Sequence, residues 1–155
     1  MGYKEYHKNK IINRLPVMLG FQAAGAAPIV KGHPIKNPKT IATAIKIGNP
    51  ASWKLAEQAR DESNGLIDAV SDKEILEAYK ILAGKEGLFA EPASAASVAG
   101  VIKLAKRGYF KSRRGKIVCI LTGHGLKDPD RAIKSIKKPK TVKADTKAIL
   151  KEIGY

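Results

Sequence analysis

Three short apolar runs alternate with segments of helical length, and this spacing constrains the fold more than any other feature of the chain. The runs are LPVMLGFQ (15–22), LIDAV (66–70) and KIVCIL (116–121), with a minimal fourth at LFA (88–90). Each has the length of a strand and is shorter than a typical helix. Strands separated by helix-sized segments specify an α/β fold, a parallel sheet covered by helices, because a parallel ladder needs a crossover between its strands. KIVCIL is the strongest of the four. Its continuous, β-branched character predicts a strand buried on both faces.

The intervening segments carry helix signals. Residues 3–13 read as the end of a helix stopped by Pro16. Residues 23–29 predict a turn and a short helix, followed by a polar loop over 31–37. Asn37 and Pro38 read as an N-cap and first helical position for a helix over 39–47. A second helix is expected over 52–61. Ser71 and Glu74 form a capping-box pattern, and the helix they start places Ile75, Leu76, Tyr79 and Leu82 at helical spacing. Pro92 opens a long helix over 93–106 whose first half has almost no large side chains. Asp128 and Pro129 cap a short helix, and 145–153 reads as a final amphipathic one.

The 155 residues suffice for one hydrophobic core. Lys and Arg number 29 against 14 Asp and Glu, a formal net charge of +15. That excess invites a nucleic-acid reading. The charge is scattered, however, with local clusters at 111–116 and 134–143, and the aromatics, 6% of the chain, do not interleave with them as stacking platforms would. One Cys and three His cannot build a zinc finger. A Lys-rich solvated surface is the better reading, and neither nucleic acid nor a membrane is expected as partner: no apolar run approaches the roughly 20 residues of a span. Cys119 is expected to be buried mid-strand and inert. A lone cysteine supplies no disulfide framework and fits the reducing cytoplasm.

Ligands in open α/β sheets collect at the carboxyl ends of strands. KIVCIL delivers Thr122, Gly123, His124 and Gly125 directly into such a place. Thr122 offers a hydroxyl, and the glycines allow close backbone approach or positive φ. A plain strand-to-helix turn explains the same residues, and His124 has no visible Ser or Cys partner. Glu91 stands just before a helix N-terminus, either as a capping carboxylate or as a site residue. Gly48 and Asn49 lead into another turn before a helix, whose amides could meet an anion. No P-loop, dinucleotide fingerprint, metal cluster or Ser–His–Asp array is present.

Taken in order, GFQAAGAAPIVKG (20–32), TIATAIKIGNPASW (40–53), IDAVSD (67–72), EGLFAEPASAASVAG (86–100) and LTGHGLKDPD (121–130) closely resemble the carboxy-terminal portion of the threonine synthases. The likeness spans nearly the whole chain. EPASAA-like and TGHG-like turns recur among related enzymes, whereas IGNPASW together with LTGHGLKDP is specific to this group. The resemblance implies a partial domain of a fold-type-II pyridoxal-phosphate enzyme of the tryptophan-synthase β family. It implies pyridoxal 5'-phosphate as cofactor, O-phosphohomoserine and water as substrates, threonine and phosphate as products, and a homodimer when complete. By motif position Thr122 is implied as the partner of the pyridine nitrogen, with Gly123, Glu91, Gly48 and Asn49 near the cofactor.

The same resemblance puts the Schiff-base lysine, the loop holding the cofactor phosphate and the substrate-gripping residues upstream of position 1. No catalytic residue is therefore expected in residues 1–155, and the chain alone is expected to be inactive, requiring an amino-terminal half in cis or in trans. Two other readings stay open: a paralogue acting on another phosphorylated or sulfonated amino acid, and a non-catalytic basic binding protein derived from the fold. A sheet cut part-way should show an unpaired edge and exposed apolar surface.

Overall fold

The computed structural model describes residues 2–112, 115–136 and 140–155. Two strands, β1 (Leu19–Ala23) and β2 (Leu66–Val70), pair in parallel, with Leu19 opposite Leu66 and Ala23 opposite Val70. Helix α1 (Gly2–Lys8) precedes them. Between them run a 3-10 turn (Ala24–Ala26), α2 (Pro28–Lys31), a second 3-10 turn (Thr43–Ile45) and α3 (Trp53–Glu62). After β2 come α4 (Asp72–Glu86), α5 (Pro92–Lys106), a 3-10 turn (Gly125–Lys127), α6 (Pro129–Ser135) and α7 (Thr146–Ile153). Among the described residues no helix is long and apolar enough to cross a membrane.

Local chemistry sets the ends of α4. Ser71 Oγ accepts the Glu74 amide at 3.2 Å, and the Glu74 carboxylate accepts the Ser71 amide at 2.7 Å. Two otherwise orphaned donors are thus satisfied reciprocally. Gly87, at φ 67°, ends the helix in the left-handed conformation that a side chain resists. The core lies where α4 and α5 meet the strands, and α5 contacts α4, β1 and β2. Val70, Ile75, Ala78, Tyr79 and Leu82 fill it from one side, and Ala95, Ala96 and Ala99 from α5. Gly100 makes the closest approach: a Cβ there would lie 2.2 Å from the Phe21 ring.

A charged brace ties β2 to α5. Asp68 accepts from Lys103 at 3.0 Å and from Arg107 at 3.1 Å, and Lys103 also donates to the Ala69 carbonyl. Partial burial alone would push the Asp68 carboxyl up. The Lys103 hydrogen bond, the Ala69 amide and the two cationic charges outweigh it and hold the carboxyl below its usual value.

Two expected elements are absent. Only Thr43–Ile45 of the expected 39–47 helix is helical, and as a 3-10 turn. Tertiary bonds claim the backbone instead. The Lys39 amide donates to Gly25 O at 2.9 Å, and Asp72 accepts Thr40 Oγ1 at 2.6 Å and the Ile41 amide at 3.1 Å. The second absence is KIVCIL. Residues 116–121 form no ladder, and Ile117, Val118 and Ile120 are 51%, 78% and 66% exposed rather than buried on both faces. A β-branched run becomes a strand only beside another backbone, and none lies beside it among the described residues. Cys119 is accordingly half-buried, and that burial still pushes its thiol up despite a hydrogen bond from Ser97.

Smaller differences concern boundaries. The first helix stops at Lys8, with Lys10 in the left-handed region at φ 58°. The first strand starts at Leu19, leaving Leu15 and Val17 exposed. The basic clusters at 111–116 and 134–143 include Arg113, Arg114 and residues 137–139, which lie outside the described residues.

Gly100→Ala must push the Phe21 ring aside and should cost about 1–3 kcal/mol, read as a lower urea midpoint at unchanged slope. Asp68 is more acidic folded than unfolded, so its contribution is present above its unfolded value near 3.8 and fades as pH falls through the folded one. Asp68→Asn should therefore be less stable than the parent at pH 7, with the gap narrowing as the pH is lowered below about 4 in parallel urea titrations.

Candidate functional site

The segment after residue 121 is held against the start of α5 by backbone bonds. The Glu91 amide donates to Gly123 O and the Gly125 amide to Phe89 O, each at 2.9 Å, which makes Ala90 and His124 an isolated antiparallel bridge. The minimal strand expected at 88–90 is present as this bridge alone. Both glycines are required by space rather than by positive φ. A Cβ on Gly123 would lie 1.9 Å from Glu91 Oε1, and one on Gly125 2.3 Å from the Phe89 ring.

Ser94 locks the turn. It is 2% exposed, and its Oγ accepts the Gly123 amide at 2.8 Å. Its single proton has two acceptors within reach, Gly123 O at 3.3 Å and Thr122 Oγ1 at 3.4 Å. Thr122 itself is exposed. When Ser94 donates to Thr122, the Thr122 proton is free for an outside acceptor. The site thus presents a neutral donor, positioned by a buried hydroxyl, at the end of an extended segment.

Glu91 occupies the N-cap position of α5, yet its carboxylate makes no capping hydrogen bond. It is 5% exposed, lies over Gly123, and has Lys127 Nζ at 3.8 Å. The capping alternative for this residue is therefore replaced by a nearly buried carboxylate facing the turn. His124 is the polar turn residue that the sequence suggests: its Nδ1 accepts the Leu126 amide at 3.2 Å, and its ring stands edge-on to Phe89 with centroids 5.3 Å apart. His7 and His33 are exposed, as expected.

Thr122, Gly123 and Glu91 are thus brought together. Gly48 and Asn49 are not joined to them by any hydrogen bond among the described residues. Gly48 accepts the Ile35 amide at 2.9 Å, and a Cβ there would lie 2.0 Å from Ile35 O. Asn49 lines a separate open groove of about 590 Å³ with Pro34, Ser52 and Trp53. Ser94 and Lys127 are site residues that the sequence reading passed over. Ser94 had no distinguishing signal, since Ser97 is a second hydroxyl one turn further along the same helix. Lys127 had none among so many lysines. Among the described residues no group of His, Cys, Asp and Glu could hold a metal ion.

A neutral hydroxyl placed this way can donate to an acceptor outside the chain. Residues 1–123 match the family model described as pyridoxal-phosphate dependent enzyme. The chain is 51% identical over 153 residues to the threonine synthase of Mycobacterium leprae, covering 99% of this chain and 42% of that protein. It is 54% identical over 153 residues to that of Halalkalibacterium halodurans (98% and 43%), and 50% over 163 residues to that of Methanocaldococcus jannaschii (98% and 40%). The chain therefore spans about two fifths of the length of these relatives. Among solved structures, maize serine racemase superposes with a TM-score of 0.58 at 18% identity, covering 82% of this chain and 41% of that one. A fungal L-serine ammonia-lyase from Rhizomucor miehei gives 0.58 at 20%, covering 86% and 45%. At those identities the likeness is one of fold.

Removing the Ser94 hydroxyl leaves the buried Gly123 amide without its acceptor, a loss of about 1–2 kcal/mol. Ser94→Ala should therefore speed hydrogen exchange at Gly123 about tenfold and leave α4 amides unchanged, as read by NMR.

Proposed function

This chain belongs to the pyridoxal-phosphate dependent enzyme family, and from that premise we propose that it is the carboxy-terminal portion of a threonine synthase, which converts O-phosphohomoserine and water to threonine and phosphate. Identity near one half along almost the whole chain supports the reading. The observation that carries it is the exposed Thr122 hydroxyl beside the buried Ser94.

The cofactor, when bound, supplies a conjugated ring that accepts charge developed on the substrate. The residues of this chain set how strongly it does so. Thr122 would donate to the pyridine nitrogen. A neutral hydroxyl cannot hold that nitrogen protonated as a carboxylate would, so the ring stays a milder acceptor, which suits elimination and replacement. Ser94 keeps Thr122 in register, and Gly123 lets the backbone lie against Glu91. Glu91 and Lys127 would form the polar wall beside the ring, with Gly48 and Asn49 placed further out. Residues 1–155 form part of the cofactor-binding domain in this reading. The lysine that anchors the cofactor and the groups that hold the substrate carboxylate and phosphate belong to the portion of the relatives that this chain does not span. The complete enzyme is a cytoplasmic homodimer.

The test is reconstitution. The chain is co-expressed with the portion of the H. halodurans threonine synthase that it does not match, and phosphate release from O-phosphohomoserine is measured. Release should require both pieces. Thr122→Val should reduce it by about tenfold to hundredfold, and Thr122→Ser should restore most of it. Release from O-phosphoserine or another sulfonated or phosphorylated amino acid, with none from O-phosphohomoserine, would overturn the substrate in favour of a paralogue.

A further inference from the structure

Among the described residues Glu91 is the only charged side chain that is nearly buried. Its carboxylate makes no capping hydrogen bond, and its ion-pair partner is Lys127, with Nζ 3.8 Å from Oε1. Stability alone does not ask for this arrangement. A carboxylate withdrawn from water without donors is costly. An exposed lysine beyond hydrogen-bond reach offsets little of that cost.

What the pair controls is charge at the turn. Glu91 Oε1 lies against Gly123, where a Cβ would be 1.9 Å away, and Gly123 follows Thr122 directly. The buried Ser94 Oγ joins the two residues, 2.8 Å from the Gly123 amide and 3.4 Å from Thr122 Oγ1. An acceptor that takes the Thr122 proton therefore sits in the field of Glu91. That field favours a protonated acceptor, and so works against the neutrality of the hydroxyl. Lys127 supplies the opposite charge from a backbone fixed by the turn, through its amide bond to His124 O at 3.0 Å. The other titratable groups of these elements are engaged elsewhere. His124 accepts the Leu126 amide, and Asp128 accepts the Arg131 amide and the Thr43 hydroxyl. Lys103 and Arg107 sit on Asp68 at the far end of α5.

We propose that Lys127 sets the electron demand at the site: by cancelling the charge of Glu91 it keeps the nitrogen bonded by Thr122 unprotonated. This rests on the reading above in one respect, that the acceptor at Thr122 is the pyridine nitrogen of the cofactor. Lys127 acts through Glu91. Without it, the mild acceptor that a neutral hydroxyl provides is undone by a carboxylate one residue away.

The experiment uses the full chain co-expressed with the unmatched portion of the H. halodurans relative and loaded with pyridoxal phosphate isotopically labelled at the ring nitrogen. The protonation of that nitrogen is followed by NMR as pH is varied. In the parent it should be unprotonated at neutral pH. Lys127→Met should raise its protonation midpoint by about one pH unit, about a tenfold change in the ratio of the two forms. Lys127→Arg keeps the charge and should match the parent. Glu91→Gln added to Lys127→Met should return the midpoint to the parent value, a reversal that a merely structural role for either side chain would not produce. Hydrogen exchange at Gly123 in the free chain should be the same in Lys127→Met as in the parent. An unchanged midpoint in Lys127→Met overturns the proposal. So do a shift that Glu91→Gln fails to reverse, faster exchange at Gly123, and a parent nitrogen already protonated at neutral pH. A parent complex that binds no cofactor sinks the reading of Thr122 and the proposal with it. A bound cofactor whose nitrogen ignores Lys127 sinks the proposal alone.

Discussion

Close approach along one face of α5 is the constraint on which the rest depends. Ala95, Ala96, Ala99 and Gly100 present almost no side-chain bulk, so the helix can lie directly on β1, β2 and α4. A helix with Leu or Ile at these positions would stand further from the sheet. The same approach places its first turn, with Glu91 and Ser94, against the Gly123 backbone. The packing that makes the core thus also makes the site. Gly100 serves the first role and Gly123 the second, and both are glycines because other atoms already occupy the space of a Cβ.

A second tie comes from the start of α4. Asp72 sits in the first turn of that helix and uses its carboxylate to hold Thr40 and Ile41 rather than to cap. This fastens the long β1–β2 connection to the helix that follows β2. At the other end Thr43 reaches Asp128 at 3.4 Å, the residue that caps α6 through the Arg131 amide. Segments far apart in sequence therefore converge around the turn at 122–125 through short polar side chains. These bonds are individually modest, but breaking those to the Ile41 and Arg131 amides leaves a half-buried backbone donor unsatisfied.

Signals confined to a few neighbouring residues were legible in the sequence. The capping box at Ser71 and Glu74, the Pro92 start of α5, the Asp128 cap and the strand at 66–70 all depend on local chemistry and appear where expected. The segment at 39–47 was not legible, because Asn37 and Pro38 give a local helix-start signal while its backbone donors are claimed by Gly25 and Asp72 across the fold. At the site, Thr122, Gly123 and Glu91 could be singled out from strand-end logic and motif. Ser94 could not, since its role lies in a hydrogen bond to a residue 29 positions away. KIVCIL carries the strongest strand signal in the chain and forms no strand. Residue pattern states what a segment can do, but a ladder needs a second backbone.

That unpaired run and the candidate site are one continuous piece of chain. Leu121 packs on the core, and Thr122 follows it immediately. The Ser94 contacts fix the turn from the α5 side only, at Gly123 and Thr122. From the other direction Thr122 is reached through residues 116–120, whose backbone is unrestrained by any ladder. A strand added there would remove the freedom of the segment that leads into the hydroxyl. Small displacements of a hydrogen-bond donor weaken its bond steeply. Freedom along 116–120 is therefore freedom at Thr122: how firmly the hydroxyl is positioned depends on how the segment leading into it is held as well as on Ser94.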